Sequence, residues 1–261
     1  MIRLIISDID GTLVPEGGLT LNPEYLEVVR KLTEKGITFV AASGRQMASE
    51  DKLFGSVRDH IFYISESGAL VFKHGEVIES KVLDPKYVVG VLEDLRKMPE
   101  IKVMLSYEEG YYMEGNDEEF YNLIFHTYAG VGGVVDSFLD RLDDCVKISL
   151  FVEEHAKEYE QELQKHWGDK LSVNMSGAKW IDITRKDATK GDAIAWLQNY
   201  LGVTPEETMA FGDNFNDMTM LQNAGESYAS VLSHDEVKQA AKYTVASYKE
   251  DGVLQVLKTL L

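Results

Sequence analysis

Short apolar runs alternate along the first quarter of the chain with segments whose apolar residues recur at helical spacing. Ile2, Leu4, Ile5 and Ile6 form the first run. Asn22-Pro23 then opens a segment with Leu26, Val29 and Leu32 on one face, closed by Gly36, which predicts a helix with proline in its first turn. Residues 37–42 and 62–64 are further apolar runs, separated by a polar stretch from Gln46 with room for another helix. Apolar runs without an alternating polar position suit strands buried on both faces, so the order predicts a parallel sheet covered by helices.

After Gly68 the pattern changes. Residues 69–72 and 76–78 flank His74-Gly75 and read as a hairpin. A helix is expected over 85–98, a strand over 101–105, a hairpin around Gly110, a helix over 117–128, a strand over 146–152, a helix over 154–167, and strands at 171–173 and 180–183. Gly130-Val131-Gly132-Gly133 reads as a flexible loop. From Lys190 the first pattern resumes, with a helix, a strand at 209–211, a helix from about Asn216 and a strand at 228–232. The reading is an α/β protein: a Rossmann-like three-layer α/β/α core with a parallel sheet, residues 1–82 and 187–261, carrying an inserted α+β domain, residues 83–186. An insertion at the carboxyl edge of such a sheet lies at the edge where ligands of open α/β sheets bind.

Charge narrows the partners. The 261 residues carry a formal net charge of −18, and no cluster of Lys and Arg offsets it, which argues against nucleic acid and anionic membranes. No apolar stretch reaches the roughly 18 residues a spanning helix needs. Cys145 is the only cysteine, so neither an internal disulfide nor a thiolate metal cluster can form. The expectation is a cytoplasmic protein, monomer or dimer, acting on a small molecule.

Candidate chemistry gathers at the ends of the predicted strands. Asp8 and Asp10 close the first run ahead of Gly11-Thr12-Leu13, and a period of two directs both carboxylates to one side. Asp213 follows the 209–211 strand and Gly212, with Asn216 and Asp217 behind it. Asn216 or Asp217 would also cap the following helix. Carboxylates at two strand ends, without His or Cys beside them, suit Mg²⁺ better than Zn²⁺. Ser43-Gly44-Arg45 ends a third strand with a hydroxyl and a glycine amide. Thr189-Lys190-Gly191-Asp192 has capping-box spacing, which puts Lys190 in a helical first turn, where the macrodipole disfavours a cation unless an anion faces it.

In this order the stretches Asp8-Ile9-Asp10-Gly11-Thr12-Leu13, Ser43-Gly44-Arg45, Lys190-Gly191 and Gly212-Asp213-Asn214-Phe215-Asn216-Asp217 resemble the four motifs of the haloacid dehalogenase (HAD) superfamily. The insertion resembles that family's C2-type cap, and Glu250-Asp251-Gly252-Val253 is similar to the tail of its Cof-type sugar-phosphatase branch. That branch usually has Asn-Gly-Ala after the third strand, where this chain has Ser67-Gly68-Ala69.

The resemblance implies a Mg²⁺-dependent phosphatase that hydrolyses small phosphomonoesters, sugar phosphates foremost, through an aspartyl phosphate. Asp8 would be the nucleophile. Asp10 would protonate the leaving alcohol and then activate water, holding its proton near neutral pH with the help of acidic neighbours. Asp8, the backbone carbonyl of Asp10, and Asp213 would hold Mg²⁺, with Asp217 and Asn216 orienting its waters. Ser43, Gly44 and Lys190, with Gly11 beside them, would bind the phosphoryl oxygens. Dehalogenases of the superfamily lack the second acid, so carbon–halogen hydrolysis is disfavoured. Lys179 and Trp180 are expected to approach the leaving group, and Arg45 to bridge core and cap or form a surface ion pair. Tyr111, Tyr112, Phe120, Tyr121, Phe125 and Tyr128 could stack on a sugar or ring, but most are expected to form the core of the inserted domain. The rival readings are phosphotransfer to a second substrate on the same scaffold, as in a mutase, and a receiver-like phosphoacceptor signalling domain.

Overall fold

The computed structural model describes residues 1–128 and 130–261, which form two compact units, Met1–Glu79 with Thr189–Leu261, and Ser80–Ala188. The sequence placed the divides at 82/83 and 186/187. In the structure they fall at 79/80, at the end of the strand over Glu76–Ser80, and at 188/189, just ahead of the helix that Thr189 caps.

The first unit is built on an eight-stranded sheet. In chain order its strands are β1 (Leu4–Asp8), β2 (Thr38–Ala42), β3 (Phe62–Ser65), β4 (Leu70–Lys73) and β5 (Glu76–Ser80), then β12 (Thr208–Gly212), β13 (Glu226–Ser230) and β14 (Tyr243–Val245), the numbers between belonging to the second unit. The spatial order is β14-β13-β12-β1-β2-β3-β4-β5. From β14 to β3 every pair is parallel, and β4 turns antiparallel to β3. The hairpin expected around His74-Gly75 thus extends the core sheet. Early strands lie on one side of β1 and late strands on the other, so β1 is the topological switch point, where open α/β sheets place their ligands.

Period-two alternation sends Leu4, Ile6, Val40, Ala42, Phe62 and Ile64 to one face. There they pack on Ala193, Ile194 and Leu197 of α6 (Lys190–Leu201) and on Met220 and Leu221 of α7 (Met218–Gln222). On the other face lie α1 (Pro23–Glu34), which buries Tyr25, Val28, Val29 and Leu32, and α2 (Met47–Phe54), whose Phe54 packs between the rings of Phe39 and Tyr63 at 6.0 and 6.1 Å. Asn22 caps α1 by accepting the amide of Glu24, with Pro23 in the first turn. These are the three layers that the alternation of runs and helices predicts.

The second unit is a six-stranded sheet in the order β10-β11-β9-β6-β7-β8. Its strands are β6 (Lys102–Ser106), β7 (Tyr111–Glu114), β8 (Gly132–Val135), β9 (Lys147–Phe151), β10 (Ser172–Gly177) and β11 (Trp180–Thr184). The helices α3 (Pro85–Leu95) and α5 (Ala156–Trp167) cover one face, where Ile148, Leu150, Ile181 and Ile183 are fully buried. Two expectations change here. Residues 132–135 are the strand β8, parallel to β7, because Val134 and Val135 bring β-branched side chains opposite Met113 and Glu114. The helix expected over 117–128 is one α-turn, α4 (Glu118–Tyr121), capped by Asp117, followed by wide π-type turns over Asn122–Thr127.

Candidate active site

Three strand ends meet at one level of the first unit. Asp8 ends β1 opposite Ala42 of β2, and Ser7 lies opposite Phe211 of β12, so Ser43 and Asp213 emerge just beyond the two strands that flank Asp8. Asp8 is buried, and so is Lys190, the first residue of α6, whose side chain has 0% exposure. Thr189 caps that helix, its hydroxyl accepting the amide of Asp192 at 3.1 Å, and the Lys190 ammonium donates to Asp8 Oδ1 at 2.6 Å and to Asp217 Oδ1 at 2.7 Å. The anion that a lysine in a first turn calls for is thus a pair of carboxylates.

Asp217 is fully engaged. Its second oxygen accepts the amides of Asp213 and Asn214 at 2.9 and 3.0 Å, which folds the 213–217 loop back on itself. Thr12 donates its hydroxyl to Asp213 Oδ1 at 2.9 Å. Gly11, at φ 84°, lies so close that a Cβ there would sit 2.2 Å from Asp213 Oδ2. Only a glycine admits the Asp213 carboxylate, which is the physical reason for Gly after the second Asp.

Asp8, Asp213 and Asp217 each offer an oxygen within 4.8 Å of the others, and Asp8 Oδ2 is buried with no hydrogen-bond partner among the described residues. Three carboxylates face one ammonium, so the fully ionised cluster carries an excess of two negative charges. Burial, then Asp217, pushes the Asp8 carboxyl well above the usual carboxylate range, against the pull of Lys190. Burial and Asp217 likewise push Asp213 up to about 6, against the Thr12 hydrogen bond. Burial works against the charge of Lys190, but Asp217 and Asp8 outweigh it and hold the ammonium protonated. A cluster with surplus negative charge, hard oxygen donors and one unpartnered buried oxygen fits a divalent cation of the Mg²⁺ kind.

The other predicted residues have partners of their own. Asp10 does not face the acids. Its carboxylate, 26% exposed, accepts the Arg45 Nε at 2.6 Å and the Gly17 amide at 2.8 Å, and pairs with a second Arg45 nitrogen. Its expected acidic neighbours are replaced by a guanidinium, because β1 ends at Asp8 and the chain turns before Asp10 can keep the strand's alternation. Arg45 is a half-buried partner of Asp10 and of the Gly18 carbonyl at 3.0 Å, not a surface ion pair. Ser43 is buried, its hydroxyl accepting the Arg45 amide at 3.0 Å, and Gly44 follows at the same strand end. Asn216 is exposed; Asp217 stands at the N-cap position of α7 without a side-chain cap bond, and Asn214 caps the single turn before it, accepting the Phe215 amide at 2.8 Å. In the second unit Lys179 pairs with Glu153, while the Trp180 ring packs 5.1 Å from Phe151 and 6.3 Å from Phe120. Thr12 stands inside the Asp8–Leu13 stretch, and its role shows only in the hydrogen bond to Asp213. Buried Glu50 and Glu66 carry no signal in the sequence at all.

Residues 5–257 match the haloacid dehalogenase-like hydrolase family. The chain belongs to this family. It is therefore a hydrolase, and the resemblance of the four ordered stretches is one of family membership. The hydrolase is 27% identical over 262 residues to the 5-amino-6-(5-phospho-D-ribitylamino)uracil phosphatase YbjI of Escherichia coli strain K12, covering 100% of this chain and 96% of that protein. Among solved structures, one from Eubacterium rectale is 36% identical with a TM-score of 0.92, covering 100% of this chain and 99% of that one. The HAD subclass IIB sugar phosphatase BT4131 is 25% identical with a TM-score of 0.82, covering 99% and 98%. No helix among the described residues is long and apolar enough to cross a membrane.

Proposed function

We propose that this hydrolase is a Mg²⁺-dependent phosphatase of small phosphomonoesters, sugar phosphates foremost, working through an aspartyl phosphate on Asp8. The observation that carries the reading is the state of Asp8: one oxygen held by Lys190, the other buried with no hydrogen-bond partner among the described residues, at the switch point of the sheet. Asp8, the Asp10 carbonyl and Asp213 would hold Mg²⁺, which when bound offsets the surplus negative charge and polarises a phosphoryl oxygen. The Asp8 carboxylate attacks phosphorus as the ester P–O bond breaks, and hydrolysis of the acyl phosphate then returns Asp8. Asp10 gives its proton to the leaving oxygen and takes one from the attacking water. Since its carboxylate is turned to Arg45 and the Gly17 amide, that work requires a rotamer change that frees one oxygen. Lys190, the Ser43 hydroxyl and the Gly44 amide stabilise the phosphoryl oxygens. Asp217 acts by fixing Lys190 and the 213–214 amides. The unit over 80–188 serves as the cap that selects the alcohol.

A panel of sugar phosphates and other small phosphomonoesters, including the ribitylaminouracil phosphate for which the YbjI relative is named, is assayed with Mg²⁺ and with EDTA. Orthophosphate is expected with Mg²⁺ only. No release from any ester, or equal release with EDTA, overturns the reading.

A further inference from the structure

Two buried carboxyl groups, Glu50 and Glu66, have no part in that chemistry. Glu50 stands in α2, the helix into which Ser43-Gly44-Arg45 leads, and is 0% exposed. Its Oε2 accepts the Ser65 hydroxyl at 3.1 Å, while Oε1 is buried with no hydrogen-bond partner among the described residues. Ser65 ends β3 and leads into a turn over Glu66–Gly68 in which all three residues have positive φ, 52°, 61° and 109°. Glu and Ser rarely adopt that conformation, so it persists only where the surroundings impose it.

Three parts of the site meet at this turn. The Glu66 amide donates to the Arg45 carbonyl at 3.0 Å, and the Ser67 amide donates to the Ser43 carbonyl at 3.0 Å. A Cβ on Gly68 would lie 2.3 Å from the carbonyl carbon of Thr189, the residue before Lys190. The turn therefore registers the Ser43 loop against the start of α6, and Glu50 grips its entry.

We propose that Glu50 is a positioning residue: its carboxyl group anchors the Ser65–Gly68 turn and so sets where Ser43 and Lys190 meet a bound phosphoryl group. This deepens the phosphatase reading and rests on it. The charged and titratable groups facing Glu50 are Glu66 from the turn, Lys190 from α6, Arg45 from the loop ahead of α2, and Tyr63 from β3. Burial first, and Glu66 after it, push the Glu50 carboxyl well above its usual range against Ser65, Lys190 and Arg45, which favours the neutral acid. A group raised in this way contributes stability that is complete below its unfolded value and is lost as pH rises through the folded one. Gln reproduces the shape of the neutral acid without that loss.

Wild type, Glu50→Gln and Glu50→Ala are compared for kcat and KM, for orthophosphate binding by calorimetry with Mg²⁺ present, and for thermal midpoint from pH 5 to 9. Glu50→Gln is expected to keep kcat/KM within about threefold, with a midpoint that falls less than wild type as pH rises. Glu50→Ala is expected to lower kcat/KM about tenfold or more and to weaken orthophosphate binding, with the Mg²⁺ requirement within about twofold of wild type. Should Glu50→Ala not fold, Ser65→Ala removes the same hydrogen bond at little change of volume and is expected to weaken orthophosphate binding about threefold. Equal orthophosphate binding in wild type and in Glu50→Ala or Ser65→Ala, or a Glu50→Gln midpoint that follows pH as wild type does, overturns the inference. A wild type that hydrolyses no ester defeats the phosphatase reading instead, and the calorimetric comparison still decides the role of Glu50.

Discussion

Asp8 has two oxygens in two environments, and its proposed chemistry follows from the difference. One accepts the ammonium of Lys190 and the other is buried with no hydrogen-bond partner among the described residues. Asp8→Asn keeps the shape but removes the nucleophile, so kcat is expected to fall roughly a thousandfold or more while the circular dichroism spectrum is unchanged. Substantial residual turnover would mean another residue attacks phosphorus. The crowding of acids also sets a pH dependence. Asp213 is raised to about 6, so without metal its contribution to stability is complete below the unfolded carboxylate value and is lost as pH rises through about 6, and the upward push on Asp8 acts in the same direction. The thermal midpoint in EDTA is therefore expected to fall between about pH 4 and 7. On the proposed reading Mg²⁺ would compete with protons for the same oxygens, so the midpoint shift it produces is expected to be larger at pH 8 than at pH 5. Equal shifts at the two pH values would place the ion elsewhere.

At the scale of elements, the site depends on how closely strand ends and helix starts approach. The Asp10–Val14 turn passes Asp213 so tightly that Gly11 has room for a hydrogen only. Gly11→Ala puts a methyl group onto the Asp213 carboxylate and forces a positive φ on alanine, a combination expected to cost about 1–3 kcal/mol in urea unfolding. The same change should abolish the Mg²⁺-dependent midpoint shift, and a variant that keeps the shift would show that Asp213 is not a ligand. Elements with strong local signals were legible in the sequence. The α1 helix has its Asn22 cap, its Pro23 and its apolar stripe, and the core strands are continuous apolar runs. Weak local signals failed where tertiary contacts decide. The strand β8 exists because it can pair with β7, and glycines at its start read as a loop until that partner is known. The Asn214 cap is by contrast a local box closed by Asp217 three residues on, and what the fold adds is the pairing of that same Asp217 with Lys190.

At the scale of the molecule, each unit has a core of its own. One lies under the sheet that holds the acids, the other between β9, β11 and the helices of the second unit. Leu150→Ala is expected to cost about 2–5 kcal/mol and to speed hydrogen exchange across residues 80–188, while amides of β1 and β12 keep their protection. Equal loss of protection in both would show that the units unfold as one. The net charge of −18 argues for a small anionic ester over a polyanion, since only the local balance around Lys190 has to accept phosphate. The alternation of strands and helices, and the residues that stand at strand ends, are written in the chain, because covalent adjacency fixes an Asp to the run it follows. That Lys190 bridges Asp8 and Asp217, that Asp10 turns to Arg45, and that Glu50 lies buried against Ser65 follows from the packed fold alone. Those pairings join positions as far as 182 residues apart, and packing selects them, which no local pattern of polar and apolar residues records.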